Sequence, residues 1–156
     1  MFVYTIKSRI KKPKKAIALL LFALLLMGVL VYITNSSSSS KAYCKAVGEY
    51  STRFGTDGDK TSFLSLFNVQ GELVTIDSVR IPENFNSVYE EYNEMQKKMG
   101  LDLEKYRGKT VKRYVYETKD RWFVSVLCYK NRVVACHKST NIYGDKFVSL
   151  IGTEEK

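Results

Sequence analysis

The sequence has few of the residues that carry out catalysis or bind metals. His137 is its one histidine, which excludes metal sites built from several histidines and the H-E-x-x-H protease motif. Neither glycine-rich phosphate-binding pattern, G-x-x-x-x-G-K-[ST] or G-x-G-x-x-G, occurs in the chain, so a nucleotide site has no support. We therefore predict no catalytic residue, no metal ligand and no cofactor.

Cysteine is scarce too, and the three residues Cys44, Cys128 and Cys136 are too few for a disulfide framework. Cys128 and Cys136 flank a predicted hairpin. Because side chains alternate along a strand, we expect the two thiols on opposite faces of the ribbon, packed as small apolar groups. Cys44 follows a serine-rich stretch, where an intermolecular disulfide is the alternative to burial.

Residues 16–33 contain no charged side chain, whereas residues 1–15 carry six lysines and arginines and no acid. Eighteen helical residues rise about 27 Å, close to the roughly 30 Å hydrocarbon core of a bilayer. We predict a basic cytoplasmic tail (1–15), a single transmembrane helix (16–33), a serine-rich tether (34–41) and an extracytoplasmic domain (42–156). A cleavable signal peptide is the alternative interpretation.

The net charge of +9 is concentrated before the predicted anchor. The rest of the chain has 19 Lys and Arg against 16 Asp and Glu, an ordinary mixed surface. This balance argues against nucleic acid as a partner. The expected partners are the lipid bilayer, through the N-terminal helix, and an envelope protein, peptide or glycan.

Hydrophobic periodicity predicts an α+β fold, with two or three helices packed on an antiparallel β-sheet meander. The clearest helix starts near Asn84 or Asn86 and ends at Gly100. One face of the sheet, which includes Tyr114 and Tyr116, should cover this helix. The other predicted elements are a weak helix (Ala42–Phe54), a short helix (Asp59–Phe67), and strands Leu73–Ile81, Val111–Thr118, Trp122–Tyr129, Arg132–Lys138 and Lys146–Ile151.

Tyrosine is abundant, with 11 in 156 residues. Tyrosine rings give rigid amphipathic contact area and are enriched at binding sites. We predict a candidate binding surface for a glycan or peptide, with burial of the same tyrosines in the core as the alternative. The surface comprises Tyr89, Tyr92, Asn93, Gln96, Tyr106, Tyr114 and Tyr116.

Two residue groups suggest catalysis instead. Cys136 and His137 resemble a thiol with its base, but adjacent strand residues point to opposite faces. Glu90, Glu91 and Glu94 resemble paired acids, but on a helix with Lys97 and Lys98 they are typical of a solvated face. A cell-envelope hydrolase using carboxylates or a thiol is therefore the alternative function.

The segment Ile81–Gln96 reads I-P-x-x-F-x-x-V-Y-E-E-Y-N-x-x-Q. Together with Tyr114–Glu117, it resembles a bacterial domain-of-unknown-function family over about residues 60–151. The resemblance implies a Gram-positive, spore-forming lineage, often with an N-terminal membrane anchor or signal, and it implies no activity. The chain departs from the family pattern at Phe67–Val69, in place of Gly-Trp, and at Ala135–His137, in place of Gly-Gly-Asp. A site built from those glycines and that Asp is not expected here.

From these patterns we predict an uncharacterised, single-pass membrane-anchored protein. Its extracytoplasmic domain is predicted to be a non-catalytic interaction module for a protein, a peptide or a cell-wall component.

Overall fold

The computed structural model describes residues 17, 20–28, 40–142 and 146–152. The chain forms two compact units, Met1–Ser38 and Ser39–Lys156. In the first unit, residues 17 and 20–28 are helical. Among the described residues, no helix is both long and apolar enough to cross a membrane. The predicted basic tail lies outside the described residues, as do parts of the predicted anchor and tether.

The second unit combines helices with antiparallel strands, which confirms the predicted α+β class. In chain order the elements are β1 (Lys41–Cys44), β2 (Gly48–Ser51), α1 (Asp57–Leu66), β3 (Gly71–Arg80), α2 (Ser87–Lys98), a 3-10 helix (Glu104–Tyr106), β4 (Thr110–Thr118), β5 (Phe123–Tyr129) and β6 (Arg132–Ser139). Strands β3 to β6 form a meander in chain order, while β1 and β2 form a separate hairpin.

Local sequence signals set the ends of both helices. Thr56 caps α1. Its hydroxyl accepts the backbone N–H of Asp59, and the carboxylate of Asp59 accepts the backbone N–H of Thr56, which together form a capping box. Asn86 caps α2, as predicted. Gly100, at a φ of +76°, ends α2, and Leu101 donates its N–H to the carbonyl of Gln96. This Schellman arrangement confirms the predicted glycine cap.

The predicted helix over Ala42–Phe54 is wrong, because the β1–β2 hairpin occupies this region. Ala42 and Cys44 are buried while their neighbours in β1 are exposed, an alternation with period two that indicates a strand. Gly48 supplies the positive φ at the start of β2. Cys44 is 1% exposed and free, so the proposed intermolecular disulfide has no accessible thiol in this fold.

The two faces of the β3–β6 sheet carry separate clusters of buried side chains. Tyr114 and Tyr116 belong to one cluster, together with Phe54, Phe63 and Phe67. The second cluster joins Tyr92 of α2 to Ile81, Leu103, Val111, Leu127, Val134 and Ala135. The prediction that the Tyr114 face would cover α2 is therefore wrong, because that face covers α1 and the hairpin instead.

A β-bulge in β6 decides which of its side chains face each cluster. Leu127 pairs with Ala135 but Cys128 pairs with Val133, which leaves Val134 as the extra residue. Beyond the bulge the alternation is inverted. Cys136 therefore shares a cluster with Cys128, and the prediction that these two cysteines face opposite sides is wrong. Both remain free and buried.

Strand β6 lies at an edge of the sheet, and three different groups satisfy its outward backbone atoms. Near its start, Val133 donates to the carbonyl of Thr52 at 2.8 Å. In the middle, the side-chain amide of Gln96 bonds both backbone groups of Cys136, each at 2.9 Å. Towards its end, Lys138 and Val148 exchange two hydrogen bonds. The predicted last strand, Lys146–Ile151, is thus reduced to one bridge at Val148.

We expect Gln96→Leu to destabilise the second unit by about 2–4 kcal/mol, because it leaves a buried N–H and a buried C=O of Cys136 unpaired. Urea denaturation of the full-length protein, followed by the fluorescence of Trp122, measures the change. Gln70 is exposed, so Gln70→Leu is the matched control and should change stability by less than about 0.5 kcal/mol. Equal effects of the two substitutions would show that the Gln96 amide does not stabilise the edge.

Candidate functional site

A pocket of about 230 Å³ opens between the first turns of α2, the sheet face that packs against this helix, and the segment that follows β6. Most of its lining is aliphatic or aromatic. Four side chains with polar groups, Tyr89, Tyr92, Arg113 and His137, line the same pocket. The complete lining is Val79, Val88, Tyr89, Tyr92, Arg113, Leu127, His137, Ile142 and Phe147. An apolar pocket with a few converging polar groups is typical of a small-ligand site.

His137 forms a hydrogen-bonded pair with Tyr92 in this pocket. The Tyr92 hydroxyl lies 2.7 Å from His137 Nδ1. Burial lowers the pKa of His137 to about 4, and the nearby positive charge of Arg113 acts in the same direction. Burial also raises the pKa of Tyr92 well above its ordinary value. At neutral pH both partners are therefore uncharged.

The bulge at Val134 brings His137 to this pocket. In an unbroken hairpin with the same two-residue turn, His137 would face the cluster of Tyr114 and Phe54, and Cys136 would face α2. The extra residue exchanges the two positions. Bulges re-aim side chains in this way at many binding and active sites.

Arg113 contributes a guanidinium group that is already paired. Its Nε donates to Asp77 Oδ1 at 2.9 Å, and Nη2 donates to the other carboxylate oxygen. Nη1 donates to the carbonyl of Ile142 at 3.2 Å. The bond from Arg113 lowers the pKa of Asp77, so the pair is ionised at neutral pH and its charges cancel. Strands β3 and β4 set this geometry, because Asp77 and Arg113 are directly opposite each other.

The structure does not bring the seven residues of the predicted binding surface together. Tyr89 and Tyr92 line the pocket. Tyr106 lies against Tyr129, with ring centroids 5.5 Å apart. Tyr114 and Tyr116 lie in the core on the opposite face of the sheet, as the alternative interpretation of these tyrosines expected.

The two amides of the predicted surface, Asn93 and Gln96, are buried and bonded within the domain. Gln96 covers the edge of β6, as described above. Asn93 accepts the N–H of Leu103 at 2.7 Å and donates to Asp102 at 3.2 Å, which fixes the segment after α2. These side chains stabilise the fold, and neither lines the pocket.

Residues that could act as nucleophiles or acids are placed unfavourably. Cys136 and His137 face opposite sides of β6, as predicted, and burial raises the pKa of the Cys136 thiol. Burial raises the pKa of Cys128 to about 12. Glu90, Glu91 and Glu94 are exposed on α2, and Lys97 binds Glu94. Over the described part of the chain, no group of three His, Cys, Asp or Glu side chains is arranged to hold a metal ion.

Residues 63–141 match the family described as Domain of unknown function (DUF4830). The chain belongs to this family. The predicted resemblance to a family of unknown function is thereby confirmed, while the motif, the lineage and the membrane anchor remain predictions. No curated protein and no solved structure matches the chain.

The DUF4830 region runs from α1 to just beyond β6, so it contains the Tyr92–His137 pair and Arg113. Phe147 lies after the matched region, yet its ring centroid is 4.6 Å from that of His137. The pocket is therefore completed by a segment outside the family match.

Sequence reasoning missed Arg113 and Phe147 as pocket residues. A signal for Arg113 was present, because it alternates with the apolar Val111 and Val115 on a predicted strand and must share their face. Phe147 gave no comparable signal, since its position depends on a single bridge between Val148 and Lys138.

We expect the stability of the second unit to fall as the pH decreases from about 6.5 to about 4. The unfolded chain binds a proton at His137 in this window and the folded chain does not, because burial lowers the folded pKa to about 4. The loss approaches roughly 3 kcal/mol, since a tenfold change in proton affinity corresponds to about 1.4 kcal/mol. Urea denaturation at half-unit pH steps measures it.

His137→Gln is the control for this prediction, because it removes the chain's one histidine while keeping a polar group opposite Tyr92. The variant should show a flatter stability profile between pH 6.5 and 5, above the range in which carboxylates titrate. A wild-type profile as flat as that of the variant in this window would refute the assignment.

Proposed function

We propose that this DUF4830 protein is a single-pass membrane-anchored protein with its N-terminus in the cytoplasm. Its folded domain acts outside the membrane as a non-catalytic interaction module for an envelope protein, a peptide or a cell-wall component. The observation that carries the proposal is the apolar pocket beside α2, where Tyr92, His137 and Arg113 converge. The anchor is supported by the uncharged residues 16–33 that follow six positive charges.

The chemistry of the pocket favours binding over turnover. Hydrolysis by carboxylates needs two acids facing one cleft, and the described residues that line this pocket include none. A thiol mechanism needs a cysteine within reach of His137, but Cys44, Cys128 and Cys136 lie in the cluster on the other face of the sheet. Apolar walls with few polar groups are suited to holding a partner's side chain or a small molecule.

The proposed topology is testable by labelling introduced cysteines in intact cells with a membrane-impermeant maleimide. The three native cysteines are buried and should give little background. We expect Ser62→Cys, at an exposed position of α1, to be labelled in intact cells. Ser8→Cys, in the basic tail, should react with the maleimide only after the cells are lysed. Labelling of Ser8→Cys in intact cells, or of neither variant before lysis, would contradict the orientation.

The proposed binding role is testable by photo-crosslinking in cells that express the full chain. We expect a photoreactive residue at Val88, which lines the pocket and is 58% exposed, to form a discrete adduct. The same residue at Val74 is the matched control, because Val74 is also exposed but lies outside the pocket. Equal labelling at both positions, or substrate turnover that Glu91→Gln abolishes, would overturn the proposal.

A further inference from the structure

The size of the pocket restricts what it holds. Its volume is about 230 Å³. An apolar cavity of about 150 Å³ is large enough to bind benzene. The pocket beside α2 therefore has room for one six-membered ring with a small substituent.

The charges around the pocket are balanced before any ligand enters. Asp77 binds Arg113 through two hydrogen bonds, so the guanidinium charge is matched within the domain. His137 is uncharged at neutral pH, and no other ionised side chain is found among the described residues of the lining. A cationic ligand would lose its hydration without meeting an opposite charge, because the described residues of the lining include no acid. An anionic ligand would meet a guanidinium that is already paired with Asp77, so it would gain little in return for its lost hydration.

The walls are suited to aromatic contact. The ring centroid of Phe147 lies 5.1 Å from that of Tyr92 and 4.6 Å from that of His137, with interplanar angles of 59° and 69°. Rings at such distances attract each other through edge-to-face contacts. The aliphatic part of the lining comprises Val79, Val88, Leu127 and Ile142. A further ring placed among these residues extends an aromatic cluster that the domain already contains.

We infer that the pocket takes an uncharged aromatic ring and discriminates against rings that carry a net charge. This inference rests on the proposed binding function and names the chemical group that the module recognises. The ring belongs either to a free small molecule or to an aromatic side chain of a peptide partner. The shared chemistry is a neutral six-membered ring with at most one small polar substituent.

The test compares three small molecules that share one substituted ring: neutral p-cresol, anionic 4-methylbenzoate and cationic 4-methylbenzylamine. The full-length protein in detergent micelles is titrated with each, and NMR follows the ring resonances of His137, which are unambiguous because the chain has one histidine. We expect a saturable shift with p-cresol. The two charged compounds should bind at least tenfold more weakly, because the described residues of the lining include no acid to pair with the amine and their one guanidinium is already paired with Asp77.

Val88→Trp and Val74→Trp separate pocket binding from partitioning into the micelle. Both valines are exposed, so both variants should fold, which circular dichroism verifies. Val88→Trp should abolish the saturable p-cresol shift by filling the pocket mouth, and Val74→Trp should leave it unchanged. Equal affinity for charged and neutral rings would overturn the inference, as would a p-cresol response that Val88→Trp does not alter or the absence of any saturable response.

A capped Gly-Gly-Tyr-Gly-Gly peptide identifies the source of the ring. Saturable binding of this peptide supports an aromatic side chain of a partner, whereas binding of p-cresol alone supports a free small molecule. A failure of the inference about the ring can be distinguished from a failure of the proposed function. If Val88 crosslinks in cells but p-cresol shows no preference over the charged compounds, the module binds a partner and the assigned ligand class is wrong.

Discussion

The pairing of the Gln96 side chain with the backbone of Cys136 is the contact on which the site depends. Gln96 is fully buried, and its amide donates to and accepts from one peptide unit of β6, as a neighbouring strand would. An edge strand with open backbone groups is prone to pair with other chains, and this amide closes part of that edge. It also fixes α2 against β6, which places Tyr92, one turn earlier on the helix, opposite His137.

The same edge explains why the pocket has contributions from distant parts of the chain. Strand β6 is completed by the residues after β2, by α2 and by the segment after β6, each through hydrogen bonds to a different stretch. The bridge between Val148 and Lys138 sets Phe147 beside His137. Edge protection and pocket assembly therefore share the contacts made by α2 and by the bridge at Val148.

Much of the fold followed from periodicity and local caps. Strands β3 to β6 and helix α2 form where alternation, helical spacing, Asn86 and Gly100 predicted them, because these signals act over a few residues. Which face of the sheet packs against α2 could not be predicted, because alternation along a strand separates two faces without assigning a helix to either. The bulge at Val134 has no glycine or proline to mark it, yet it inverts the facing of every later residue of β6. The β1–β2 hairpin was missed because its four-residue strands carry little pattern.

The sequence correctly indicated tyrosine as a residue type of the candidate site, but only some of the predicted positions line the pocket. The abundance of tyrosine correctly indicated Tyr89 and Tyr92 as pocket residues, but it also selected Tyr114 and Tyr116, which are buried in the core. Asn93 and Gln96 lie on the buried side of α2 because unpaired backbone groups of β6 and of the following loop require partners there. A sequence pattern that sorts residues by polarity places such amides in solvent. Their burial follows from the hydrogen-bond demand of a neighbouring element, which becomes visible once the tertiary fold is known.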